Sequence, residues 1–153
     1  GAIPRLIDMG IEPFLLSSTI NVVAAQRLTR KICPDCKIQE QAKPEQIAVV
    51  KEVLKDVPGF DFDALLRQNN NSLVLNRGKG CPKCGDSGYR GRIGIFEAFK
   101  VNEEILRLIT QSATSQTIQA AAVKNGMITM VQDGFLKVLE GLTTIEEVLR
   151  VVN

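Results

Sequence analysis

Apolar positions along this chain recur with two different periods, and the switches between them divide it into segments. Ile3, Leu6 and Ile7 fall at i, i+3 and i+4, one helical stripe, with Gly10 placed to close it in a left-handed cap. Pro13 suits the first turn of a second short helix through Phe14, Leu15 and Leu16. Residues 20–30 read either way, but the β-branched Ile20, Val22 and Val23 and the alternation of Gln26, Leu28 and Arg30 favour a strand for the second half. Residues 88–99 alternate throughout, with Ile93, Ile95 and Glu97 on one face and Gly94, Phe96 and Ala98 on the other. If these two strands pair antiparallel, the end of the first meets the start of the second.

Between them, Pro44 opens an amphipathic helix whose Ile47, Val50, Leu54 and Val57 recur at helical spacing until Pro58-Gly59 stops it. A short helix through Asp63, Leu65 and Leu66, the polar turn Asn69-Asn70-Asn71 and a strand over Ser72-Leu73-Val74-Leu75 complete the segment. After Val101 every period is helical. Asn102 can cap a helix carrying Ile105, Leu108 and Ile109, and Thr114 one carrying Ile118, Ala121 and Ala122 that ends at Asn125-Gly126. A third helix runs from about Ile128 through Met130, Val131, Leu136 and Leu139 to Gly141. The last opens on Thr143-Thr144-Ile145-Glu146, read as a capping box, and bears Ile145, Val148, Leu149 and Val152. These four stripes, with Met127 and Met130, are expected to share one helical core, with no cofactor box.

Composition narrows the function classes. At 153 residues, 44% apolar and 24% charged, the chain can bury one core or two small ones. A formal charge of +2 gives no strong overall field for nucleic acid or membrane. No apolar run reaches the ~18 residues of a membrane span. The chain opens directly on Ala2-Ile3-Pro4-Arg5-Leu6-Ile7, which reads as part of a helix, and is expected to be a piece of something longer without a signal peptide. Histidine and tryptophan are absent, which excludes histidine acid–base catalysis and histidine metal ligation.

All four cysteines fall in two knuckles, Cys33-Pro34-Asp35-Cys36 and Cys81-Pro82-Lys83-Cys84. Each knuckle sets two thiols across a tight turn, and two such pairs match a tetrahedral tetrathiolate zinc site. Two disulfides or four unrelated buried thiols are the alternatives. Cysteines spent on a metal fit a reducing cytosol. Residues 37–80 separate the pairs, far more than the ~15–20 of a compact zinc ribbon, so something folds between them. Lys31, Lys37, Arg77, Lys79, Lys83, Arg90 and Arg92 lie near the knuckles in sequence. They offset the net −2 of a dication held by four thiolates, or else grip phosphates. Base-stacking aromatics are nearly absent there, with Tyr89 alone, so nucleic acid is not the expected partner.

The stretches Arg5-Leu6-Ile7-Asp8-Met9-Gly10-Ile11-Glu12-Pro13-Phe14 and Ala25-Gln26-Arg27-Leu28 carry a resemblance. So do both knuckles, Gly88-Tyr89-Arg90-Gly91-Arg92, Asp133-Gly134 and Thr143-Thr144-Ile145-Glu146-Glu147-Val148. In this order they resemble the C-terminal end of the type IV pilus assembly and type II secretion ATPases. The resemblance implies an α+β chain: the last helices and β-hairpin of a RecA-like ATPase core, a tetracysteine zinc module at the hairpin tip, and a small C-terminal helical bundle. On that division residues 1–32 end the RecA-like domain and 33–88 form the zinc module with its helical insert. Residues 89–101 return to the ATPase core, and 102–153 make the helical domain.

The resemblance also implies a hexameric cytoplasmic motor at the inner-membrane face of bacteria, using ATP and Mg²⁺. Its partners would be the upstream ATPase domains, neighbouring subunits and the inner-membrane platform of a pilus or secretion machine. Cys33, Cys36, Cys81 and Cys84 would be the zinc ligands, and Arg92 a contact on the nucleotide side or a surface arginine near the metal. One departure matters. A phosphate-binding loop requires G-x-x-x-x-G-K-[ST], and the one Gly-Lys here, Gly78-Lys79, is followed by Gly80. The chain alone is therefore expected to lack ATPase activity and to have no catalytic residue. A stand-alone zinc-stabilised module that binds protein or nucleic acid is the alternative.

Overall fold

The computed structural model describes residues 2–152. Helix α1 covers Ala2–Asp8 and α2 covers Pro13–Thr19, the latter with its proline in the first turn, where no N–H is missed. Strand β1 spans Val22–Ile32. From Val22 on, the first half of the segment that was ambiguous by period is strand as well, because β4 is its hydrogen-bonded partner. After the first knuckle come β2 (Lys37–Gln41), α3 (Pro44–Leu54), α4 (Phe62–Gln68) and β3 (Val74–Gly78). A 3-10 turn over Pro82–Cys84 forms the second knuckle, and β4 runs Tyr89–Lys100. Helices α5 (Glu103–Thr110), α6 (Ser115–Lys124), α7 (Met130–Leu139) and α8 (Ile145–Val152) follow.

Strands β1 and β4 are hydrogen-bonded neighbours. Val101 N–H donates to the Asn21 carbonyl at 2.8 Å, and Cys33 N–H donates to that of Gly88 at 2.9 Å, so the strands run in opposite directions. This is the antiparallel hairpin expected from the sequence, and it brings the start of the first knuckle beside the end of the second. A second antiparallel pair, β2 with β3, runs from Lys37 opposite Gly78 to Gln41 opposite Val74. Strand β2 was not foreseen: Lys-Ile-Gln-Glu-Gln has one apolar residue, and its pairing is carried by backbone groups.

The described residues fall into two compact units, the division lying within β1 and β4. One unit holds the residues up to Ala25 with Glu97–Ile128. Its core is Ile3, Leu16, Val101, Ile105, Ile109, Ile118, Ala122 and Met127. Asn102 caps α5 through its side-chain oxygen, which accepts from Ile105 N–H at 3.0 Å. The other unit holds Gln26–Phe96 with the residues from Thr129 on. There α3 packs on α7 and α7 on α8, burying Val50, Leu54, Phe135, Val138 and Val148. Helices α5 and α6 thus belong to the first unit and α7 and α8 to the second, in place of the single four-helix core that periodicity suggested.

The Asp133-Gly134 pair has a local reason in this second unit. A Cβ on Gly134 would stand 2.5 Å from Val148 Cγ1, so only glycine lets α8 approach α7 this closely. Asp133 Oδ2 accepts from Phe96 N–H at 2.8 Å, fastening α7 to β4.

Candidate metal centre and the arginine cleft beside it

The four cysteines converge. Their Sγ atoms all lie within 4.8 Å of one another. Cys33 and Cys81 are 3.9 Å apart, Cys36 and Cys84 3.9 Å, and Cys81 and Cys84 3.6 Å. All four are free thiols, far beyond the ~2.05 Å of a disulfide, so neither bridge is formed. Tetrahedral bonds of about 2.3 Å from one ion put sulfurs about 3.8 Å apart, and these three edges bracket that length. The cluster is able to hold one metal ion, as the spacing of the two knuckles led one to expect.

Backbone geometry builds this arrangement. In the first knuckle Cys36 N–H donates to the Cys33 carbonyl at 3.4 Å; in the second, Cys84 N–H donates to that of Cys81 at 3.1 Å. Two links join the knuckles: Cys33 N–H to the Gly88 carbonyl and Lys79 N–H to the Cys36 carbonyl, both at 2.9 Å. Gly78 and Gly88 pass backbone against backbone, and a Cβ on Gly78 would overlap the carbonyl of Gly88. Glycine at that crossing is what allows the β3 end and the β4 start to close on the site.

Burial pushes the Cys36 thiol up to about 12, with the neighbouring thiols of Cys33, Cys84 and Cys81 adding to it. Burial also pushes Cys84 up, but hydrogen bonds from the backbone of Cys81 and Gly88, with the thiols of Cys81 and Cys36, outweigh it and bring Cys84 down to about 6. Of these two, Cys84 ionises first.

Three of the seven basic residues near the knuckles, Arg77, Lys83 and Arg90, pair with carboxylates. Arg77 pairs with Glu40 at 2.6 Å across β2 and β3. Lys83 and Arg90 both pair with Asp35, at 2.5 Å and 3.1 Å. Hydrogen bonding from Lys83 is the main cause that holds the Asp35 carboxyl below its ordinary range, with Arg90 assisting. Asp35 did not stand out in the sequence as a site residue.

Arg92, beyond the knuckle on β4, is exposed and lines a separate cleft of about 530 Å³ with Thr29, Arg30, Ser87, Tyr89 and Arg150. Arg92 makes no ion pair among the described residues, whereas Arg30 and Arg150 both hold the buried Glu147. The Arg30 guanidinium also lies 4.3 Å from the centre of the Tyr89 ring, a cation–π contact. Hydrogen bonding from Arg30 above all, then from Arg150 and the Arg30 backbone, overcomes burial and holds Glu147 at about 2 against an ordinary 4.5. Glu147 is the third helical residue after Thr144, whose hydroxyl accepts its N–H at 3.4 Å. The cap of α8 is therefore Thr144, while Thr143 is buried, donating to the Arg30 carbonyl at 2.8 Å and facing Thr29 Oγ1 at 3.2 Å. The motif was legible as a helix start, but its use of Glu147 and Thr143 as ties to β1 was not.

Residues 1–150 match the family described as "Type II/IV secretion system protein". The type II secretion system ATPase E of Vibrio cholerae is 41% identical over 153 residues, which are 100% of this chain and 27% of that protein. The type IV pilus assembly ATPase PilB of Thermus thermophilus is 36% identical over 97% of this chain and 15% of its own length, and that of Myxococcus xanthus 33% over 97% and 24%. The chain thus spans about a quarter or less of the relatives it matches. With a match that runs nearly end to end, and both knuckles, the Asp-Gly pair and the Thr-Thr helix start inside it, the chain belongs to the type II/IV secretion system protein family.

Proposed function

We propose that this chain is the C-terminal part of a hexameric motor ATPase that drives type II secretion or type IV pilus assembly, and that its four-cysteine cluster holds a structural zinc ion. The observation that carries the reading is the full-length match of this chain to secretion and pilus ATPases, joined to four thiols at tetrahedral spacing. Zinc fits the donor set, since four thiolates favour it and a closed tetrathiolate leaves no open position for chemistry. Cys33 and Cys36 would hold it from the first knuckle, Cys81 and Cys84 from the second. Bound there, zinc would supply cross-linking energy to the tip, not catalysis.

On this reading, ATP and Mg²⁺ act in the whole motor, in the RecA-like core to which β1 and β4 would belong. The chain alone hydrolyses no ATP, for want of a phosphate-binding loop. Arg92, exposed and without an ion pair among the described residues, would be a contact on the nucleotide side. The partners are neighbouring subunits, upstream ATPase domains and the inner-membrane platform, on the cytoplasmic side. Among the described residues no helix is long and apolar enough to cross a membrane.

The test is a chimaera in which this chain replaces the matching segment of the Vibrio cholerae ATPase E, introduced into a strain lacking that ATPase. Restored secretion, lost again with Cys36→Ser and Cys84→Ser together, is the expected result. A folded chimaera that turns over ATP without restoring secretion, while the same swap into a PilB protein restores piliation, would assign the chain to pilus assembly. Failure of both, or ATP turnover by the isolated chain, would overturn the reading.

A further inference from the structure

The two knuckles are the same motif with one charge reversed. Both read Cys-Pro-x-Cys, with Asp35 at the third position of one and Lys83 at the third position of the other. Folding brings these equivalent positions together: Lys83 Nζ lies 2.5 Å from Asp35 Oδ1. Arg90, at the start of β4, takes the other carboxylate oxygen at 3.1 Å. One side chain of the first knuckle therefore grips both the second knuckle and the strand that leaves it.

Charge makes Asp35 an unexpected occupant. Its Oδ2 stands 3.9 Å from Cys33 Sγ. Four thiolates around a dication already carry a net −2, so a carboxylate beside them is unfavourable by itself. A residue present only to offset the centre would be cationic. The carboxylate is accounted for by what it gathers: with Lys83 and Arg90 the group of three carries a net +1 beside the thiols. It also ties together ligand pairs that are 48 residues apart in sequence.

We propose that Asp35 is the positioning residue of the metal centre, a clasp that sets the two cysteine pairs against each other, with Lys83 as its principal counter-charge. This inference rests on the metal reading above. Lys83 is well exposed and Asp35 partly so, at 66% and 27% of side-chain area, so the clasp is open to screening by salt. Its contribution is accordingly modest.

The experiment is competition of the whole chain for Zn²⁺ against a chromogenic chelator, at low salt and at 1 M NaCl, with one-to-one stoichiometry established first. For Asp35→Asn, zinc is still bound one per chain but about 3- to 10-fold more weakly, and the difference shrinks at high salt. Lys83→Met weakens binding more, since it leaves the Asp35 carboxylate less compensated beside the thiolates. The double variant is no weaker than Lys83→Met alone, and Asp35→Glu recovers part of the loss. Equal affinity with and without the Asp35 carboxylate, or single effects that simply multiply in the double variant, would overturn the clasp while leaving the metal centre intact. A wild-type chain that binds no zinc would overturn the metal reading itself, and the clasp with it.

Discussion

The two compact units use the same kinds of helix but are held by different forces. In the unit that pairs the residues up to Ala25 with Glu97–Ile128, the core is aliphatic side chains plus Met127. Ion pairs there such as Arg107 with Glu103 and Lys124 with Glu104 are exposed and stabilise little. In the other unit sit all the buried polar side chains among the described residues: Thr29, Thr143, Thr144 and Glu147. There the hydrogen bonds of Thr143 to Arg30, Tyr89 to Thr144 and Asp133 to Phe96 run between segments distant in sequence. Apolar packing is tolerant of small displacements, whereas hydrogen bonds and four thiols at tetrahedral spacing are not. The unit with a geometry to hold is the one that carries the directional bonds.

Metal removal should separate the two units most sharply. A structural tetrathiolate zinc contributes about 10–16 kcal/mol in small modules, more than most domains have in reserve. Chelation, or Cys81→Ser, is expected to abolish amide protection in β2, β3 and both knuckles while α5 and α6 keep theirs, read by hydrogen exchange with mass spectrometry. Uniform loss through both units would erase the contrast.

Next in size is the reverse experiment. Ile105 is fully buried in the aliphatic core, and Ile105→Ala should cost about 2–5 kcal/mol. Zinc content per chain should stay unchanged, as elemental analysis would show. A drop in zinc would mean that the first unit supports the site.

Glu147 sharpens the electrostatic half of the comparison. Its folded pKa is depressed, from 4.5 to about 2, so its stabilisation is fully present above pH 4.5 and fades as pH falls toward 2. The shift corresponds to about 3 kcal/mol. Denaturant unfolding of the wild type should therefore lose more stability between pH 5 and pH 3 than Glu147→Gln does over the same range. Equal slopes would mean that Arg30 and Arg150 do not hold this carboxylate in its charged form.

The smallest effect probes the first unit again. Asn102→Ala removes the α5 cap and should cost about 1 kcal/mol, seen as a lower denaturant midpoint with no change in zinc affinity.

Much of this molecule was legible in neighbouring residues. The starts of α2, α3, α5 and α6 follow from Pro13, Pro44, Asn102 and Thr114, because capping and proline chemistry act within one turn. The cysteine pairs were readable for the same reason: C-x-x-C spans one tight turn, and its chemistry does not wait for the rest of the fold. The hairpin followed from alternation in β4 and from the need to unite the pairs. Strand β2 was not legible, since its pairing uses backbone groups that every sequence possesses. Nor was the use of Asp35, although two C-P-x-C motifs bearing opposite charges were a signal that could have exposed it.

What the sequence determined by itself is local: helix starts, the two knuckles, the alternating strand, and the family they spell out in order. The tertiary structure decided the partners. It divided the last four helices between two cores, and it set Glu147 against Arg30 across 117 residues and Lys83 against Asp35 across 48. Periodicity states that a helix has an apolar face but not which face will cover it. Likewise a charge in sequence has many possible partners until folding leaves it only a few within reach.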